Sequence, residues 1–123
     1  MFRERVVRAL AKGVPNQAVR VHHVGSSVSG HSPRDIDILY IVKDGQADRA
    51  VEELQRLHGA LPDTTESYKG NGAYTGFVSL RTADDPSLNF LIVQESLSSR
   101  DPRIQETISN GRLVWPDSPA TPS

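Results

Sequence analysis

The spacing of apolar positions along the chain changes several times, and each change marks an expected element. Phe2, Val6, Ala9 and Leu10 recur at helical spacing, with Gly13 as a stop before Pro15, so residues 2–12 predict an amphipathic helix. Val19 to Val24 reads as a short strand. Asp35 to Val42 reads as a second one, β-branched and apolar apart from its two acids. Ala47, Ala50, Val51, Leu54 and Leu57 mark one face of a helix from about residue 46 to 58, stopped by Gly59 and Pro62. Thr64 to Lys69 and Ala73 to Arg81 flank Gly70-Asn71-Gly72, a hairpin signal, and Asp84-Asp85-Pro86 turns the chain into a strand from Ser87 to Gln94. Residues 101–110 predict a short last helix, and Pro116 to Ser123 is a Pro/Ser-rich tail expected to be disordered. The order implies an α+β (α/β-like) fold, a mixed sheet of about five strands with two to three helices, in one domain over residues 1–115.

Composition narrows what this domain does. A chain of 123 residues supports one core and leaves little room for a second substrate-binding module, so acceptor specificity has to come from a loop, a partner subunit or an oligomer. There is no cysteine and no apolar run long enough to span a bilayer. Arg3, Arg5 and Arg8 interrupt the only N-terminal apolar stretch, so a soluble cytoplasmic protein without membrane association is expected. The net charge of −1 argues against wholesale coating of nucleic acid. It is unevenly spread, about +4 over residues 1–20 and −4 over residues 44–66, which reads as two solvated helix faces.

The candidate chemistry lies between the first two strands. In the second strand a period of two puts Asp35, Asp37, Leu39 and Ile41 on one face, so both acids point the same way. Their Cα atoms are expected about 6–7 Å apart, close enough for the carboxylates to share a Mg²⁺ pair ~3.5–4 Å apart. Buried charge is costly unless it is paired or bound to metal, which makes strand-end surface acids the weaker reading. Gly25 ends the preceding strand and lets backbone approach a ligand, while Ser26 and Ser27 offer hydroxyls and amides to an anion. A triphosphate with Mg²⁺ between these groups has its charge neutralised from both sides.

Gly25-Ser26, eight intervening residues, then Asp35-Ile36-Asp37 with apolar flanks, resembles the signature of the DNA polymerase β-like nucleotidyltransferase superfamily. The length is similar to that of its minimal members. His23-Val24-Gly25-Ser26-Ser27-Val28-Ser29-Gly30 also resembles the GrpB group locally, and the matching region spans residues 21–42, about a sixth of the chain. The resemblance implies that Asp35 and Asp37 hold Mg²⁺ (or Mn²⁺), that Gly25, Ser26 and Ser27 grip phosphates, and that a third acid on a neighbouring strand completes the site. Here Asn89 stands in the matching stretch Leu88 to Val93. An amide cannot take a proton, so the departure bears on catalysis more than on nucleotide binding. Phe77-Val78-Ser79-Leu80-Arg81 before it resembles small phage-encoded members with a similar Asn, and Glu66 and Glu95 are the other acids able to serve as a third carboxylate.

The remaining residues have plainer readings. His22 and His23, adjacent on a strand, face opposite sides and do not share a metal. Arg34, in the loop with His31 and Ser32, is either a phosphate contact or a solvated arginine. Tyr68, Tyr74 and Phe77 read as cross-strand packing rather than base stacking, and Trp115 as cover for a core edge. No Gly-x-Ser-x-Gly elbow supports Ser26 or Ser27 as a hydrolase nucleophile. The resemblance implies binding of a nucleoside triphosphate with Mg²⁺ and transfer of a nucleoside monophosphate to a hydroxyl on a protein, an RNA end or a small molecule. Asp35, Asp37 and Asn89 form the expected catalytic set, with Gly25, Ser26, Ser27 and Arg34 on the nucleotide. The competing expectation is a nucleotidyltransferase-fold pseudoenzyme acting as a nucleotide- or protein-binding regulatory subunit.

Overall fold

The computed structural model describes residues 2–25, 28, 35–62, 78–83 and 87–116. The expected strand 64–69, the turns at 70–72 and 84–86, the aromatic residues Tyr68, Tyr74 and Phe77, Glu66 and the tail after Pro116 lie outside these residues. Helices α1 (Phe2–Ala11), α2 (Ala47–His58), α3 (Glu95–Arg100) and α4 (Pro102–Ser109) pack on strands β1 (Ala18–Val24), β2 (Asp35–Val42), β3 (Leu61–Pro62), β4 (Val78–Arg81), β5 (Ser87–Gln94) and β6 (Arg112–Trp115). The fold is α+β. Its mixed sheet has the order β3-β4-β5-β2-β1-β6, in which β2 and β5 are parallel and every other pair is antiparallel. The sheet has six strands rather than about five, and four helices are described rather than two to three.

Both sheet faces are covered, which explains why β2 and β5 read as almost continuous apolar runs. Ile36, Ile38, Tyr40 and Val42 of β2 join Phe90 and Ile92 of β5 in a core with Val6 and Ala9 of α1 and Ala50 and Leu54 of α2. Leu39 and Ile41 point the other way, into a smaller core with Leu91, Val93 and Val24, closed by Leu97 of α3 and Ile104 and Ile108 of α4. The period of two in β2 is therefore borne out residue by residue. No helix among the described residues is long and apolar enough to cross a membrane.

The helix ends follow local chemistry. Gly59 caps α2 at φ 65°, its amide donating to Gln55 O at 2.8 Å, the left-handed stop that glycine takes without strain. The α3–α4 break is set by Asp101, whose carboxylate accepts from the Arg103 amide at 2.9 Å while Pro102 begins α4. The start of α3 is tied to the loop after β2, where Asp44 accepts from the Ser96 amide at 3.0 Å and holds its carboxyl below the ordinary carboxylate range.

Strand β6 was not expected. Arg112, Leu113 and Trp115 pair with β1, and Val114 and Trp115 pack partly buried on the larger core, so Trp115 does cover a core edge but from within the sheet. Gly111 makes the close approach possible, because a Cβ there would stand 2.6 Å from His23 O and 2.8 Å from Val24 Cγ1. Gly111→Ala is expected to cost about 1–3 kcal/mol as β6 is pushed off β1, measurable as a lowered midpoint in urea.

Candidate functional site

The two acids sit at the N-terminal end of β2 on the face of the smaller core, beyond the part that α3 and α4 close. The β2–β5 register sets Asp37 directly opposite Asn89, and the β4–β5 register sets Arg81 opposite Asn89 and Ser79 opposite Leu91. Directly opposed residues share a face. Asp35, Asp37, Asn89, Ser79 and Arg81 thus converge from three adjacent strands, and β1 closes the fourth side with Val24 opposite Asp37. Asn89, in the stretch where the resemblance implies a third acid, lies beside Asp37.

These side chains form two hydrogen-bonded systems. Ser79 Oγ donates to Asn89 Oδ1 at 2.8 Å, which aims the amide NH₂ of Asn89 at Asp37, and Asn89 Nδ2 donates to Asp37 Oδ1 at 3.1 Å. Arg81 Nη2 meets Asp35 Oδ2 at 2.9 Å in an ion pair partly open to solvent. Asn89 and Ser79 are buried, whereas the acids keep some exposure. Burial pushes the Asp37 carboxyl above the ordinary carboxylate range; the Asn89 bond opposes this, the neighbouring Asp35 charge adds to it, and Arg81 opposes it. Asp37 is thus a carboxylate whose charge is only partly compensated by the chain.

Gly25 explains how the turn reaches the acids. Its φ is 82°, and a Cβ at this position would overlap the Asp37 carboxylate, so backbone lies directly against Asp37 Oδ2. The chain turns there, Val28 N donating to Gly25 O at 3.2 Å. Ser26, Ser27 and Arg34, the other expected nucleotide contacts, lie outside the described residues, as do His31 and Ser32. Glu95 opens α3, exposed, at the far end of β5 from Asn89, about 20 Å along the strand at ~3.3 Å per residue, so it does not join the acids.

A divalent cation has a partial donor set here. Asp35 and Asp37 offer the hard oxygen ligands that Mg²⁺ or Mn²⁺ takes, and the missing Cβ of Gly25 lets the Asp37 carboxylate lie against the turn. Among the described residues no group of three or more His, Cys, Asp or Glu side chains gathers to hold a metal. His22 and His23 are buried at 6% and 4% exposure, on opposite faces, His22 across from Leu39 and His23 across from Ile38. Burial, helped by Arg20 for His22 and by Arg112 for His23, lowers both below the ordinary imidazole value, so they are neutral core residues.

Ser79 and Arg81 are the site residues to which the sequence reading gave no role. Their signal was the alternation Ser79-Leu80-Arg81, two polar side chains on one strand face with Leu80 fully buried between them. No protein-family model matches the chain and no curated protein matches it. The chemistry of the site therefore has to be read from its own residues.

Proposed function

We propose that this chain binds a nucleoside triphosphate with a divalent cation at Gly25, Asp35 and Asp37 and transfers a nucleoside monophosphate to a hydroxyl acceptor. The observation that carries the proposal is the seating of the Gly25 backbone on the Asp37 carboxylate. It joins the turn to the acid pair in one place. The resemblance of residues 21–42 to the polymerase β-like nucleotidyltransferases supports the same reading, as does the α+β frame. Asp35 and Asp37 would hold Mg²⁺ or Mn²⁺, which supplies charge neutralisation of the triphosphate when bound.

The chain's own part is positioning and electrostatics. The acceptor oxygen bonds to the α-phosphorus, the bond from that phosphorus to the bridging oxygen of the leaving pyrophosphate breaks, and the hydroxyl proton passes to water, since Asn89 has no basic oxygen to receive it. Asn89, held by Ser79, fixes the orientation of Asp37. The acceptor is a protein side chain, an RNA end or a small molecule, and a cytoplasmic setting, where nucleoside triphosphates are at hand, belongs to the same proposal.

One observation favours a second reading. Each acid already has a partner from this chain, Arg81 for Asp35 and Asn89 for Asp37, an arrangement that suits a pseudoenzyme acting as a nucleotide- or protein-binding regulatory subunit. Incubation with Mn²⁺ and α-³²P-labelled nucleotides separates the two. Label on protein or RNA supports transfer, and retained nucleotide without label transfer supports the regulatory subunit.

The acid pair itself is tested by Asp35→Asn and Asp37→Asn. Both are expected to reduce Mn²⁺-dependent binding of a non-hydrolysable triphosphate below detection by calorimetry. Because Asp37 holds its proton to higher pH folded than unfolded, its contribution to stability is present below the ordinary carboxylate pKa and is lost as pH rises through the raised value. Metal-free Asp37→Asn is therefore expected to melt no lower than wild type at pH 7.5, with its relative advantage shrinking by pH 4. A marked fall in melting temperature at pH 7.5 would assign the acid a purely structural role.

A further inference from the structure

Resting on the nucleotide reading above, we infer that the site takes a single divalent cation and that Arg81 supplies its second positive charge, passing from Asp35 to the triphosphate when nucleotide binds. The inference starts from how far Arg81 reaches. It stands on β4, yet its guanidinium meets an acid on β2, with β5 in between. Two inter-strand steps are roughly 10 Å, and the side chain must cross β5 on the face that carries Asn89, its direct register partner, and Ser87, the register partner of Asp35. A carboxylate at position 89 would be the nearer partner and would stop the guanidinium there. The neutral amide lets it through, and Asn89 spends its own two groups on Ser79 and Asp37.

Charge then sets the metal count. Asp35, Asp37 and Arg81 leave one net negative charge among the described site side chains, Asn89 and Ser79 being neutral. One divalent cation turns this into one net positive charge, which attracts a triphosphate. A second cation would have to share the same two carboxylates, because no third acid joins them among the described residues. The fork of an arginine fits carboxylate and phosphate alike, and the contact with Asp35 uses one nitrogen, Nη2, so a phosphate can engage the fork in place of that single bond. The Arg81 side chain is 38% exposed.

The test counts Mn²⁺ by the loss of its free electron paramagnetic resonance signal, with and without α,β-methylene analogues of ATP and GTP. Wild type is expected to hold one Mn²⁺ per chain with analogue present. Arg81→Met keeps the aliphatic stem and removes the charge. It is expected to bind Mn²⁺ alone about tenfold more tightly, as Asp35 loses its competing cation, and the analogue at least about tenfold more weakly. Opposite signs are the diagnostic. Arg81→Lys, which retains charge without the fork, should leave Mn²⁺ affinity near wild type and weaken the analogue severalfold, and it stands in should Arg81→Met fail to fold by circular dichroism. Two Mn²⁺ per chain, or parallel loss of Mn²⁺ and analogue affinity in the folded variant, would overturn the inference while leaving the nucleotide reading intact. Failure of wild type to bind Mn²⁺ and analogue at all would overturn both.

Discussion

Gly25→Ala is expected to cost about 2–5 kcal/mol and to abolish nucleotide binding, through two separable effects. The first is backbone. At φ 82° an alanine pays roughly 1–2 kcal/mol for the left-handed region. The second is contact. The new Cβ would overlap the Asp37 carboxylate, forcing it away from Asn89 Nδ2 and costing about 1–3 kcal/mol for the partly buried hydrogen bond that the buried Asn89 amide then loses. Their sum is a large share of the ~5–15 kcal/mol stability of a small domain. The double variant Gly25→Ala/Asp37→Ala separates them, since removing the carboxylate relieves the clash and leaves only the backbone cost. Urea titrations should therefore show strong non-additivity, the double variant being more stable than the sum of the two single changes predicts. Additive losses would mean that the turn and the acid are not in contact.

What could be read in the sequence, and what could not, follows from the range of the interactions. Local signals were reliable. β2 and β5 have the expected bounds, Asp35–Val42 and Ser87–Gln94, because runs buried on both faces are strongly β-branched and apolar, and α2 stops at Gly59, where the left-handed cap demands glycine. The shared face of Asp35 and Asp37 followed from strand periodicity alone. Adjacency of Asn89 to Asp37 was conditional on β5 lying beside β2, since a parallel register is set by packing across a long crossover and not by any turn. The ion pair of Arg81 with Asp35 needed two registers at once, β4 on β5 and β5 on β2, so no reading of residues along one strand would reveal it. β6 was missed for the opposite reason. Arg112-Leu113-Val114-Trp115 is four residues with little alternation, and its pairing depends on the absent side chain of Gly111. The segment Glu95–Arg100 carries too few apolar positions to announce α3; it is helical because Asp44 holds its start and Leu97 reaches the smaller core.

Asn89→Asp tests the other half of the site and is expected to convert a stable polar network into a metal-dependent one. The Ser79 hydroxyl can still donate to the new side chain, but the amide donor facing Asp37 Oδ1 at 3.1 Å becomes a second carboxylate oxygen. Two like charges at about 3 Å repel by roughly 5 kcal/mol at an effective dielectric of ~20, which Arg81, drawn from Asp35 to the nearer carboxylate, offsets in part, so a loss of about 1–3 kcal/mol is expected in metal-free protein at pH 7.5. The pH dependence fixes the cause. Protonation of either acid restores a donor, so the pair holds a proton to higher pH folded than unfolded, and the stability of the variant is present below the ordinary carboxylate pKa and lost as pH rises through the raised folded value. Wild type and variant should therefore melt close together near pH 4 and diverge progressively above it. Divalent metal should reverse the divergence, since three carboxylates around one cation bind it more tightly than two and an amide do. Paired melts at pH 7.5 with and without Mn²⁺ are the decisive measurement, a larger Mn²⁺-induced rise in the variant being the expected result. An equal rise in both proteins would mean that position 89 lies outside the reach of the metal, and Asn89 would then be a strut for Asp37 and nothing more.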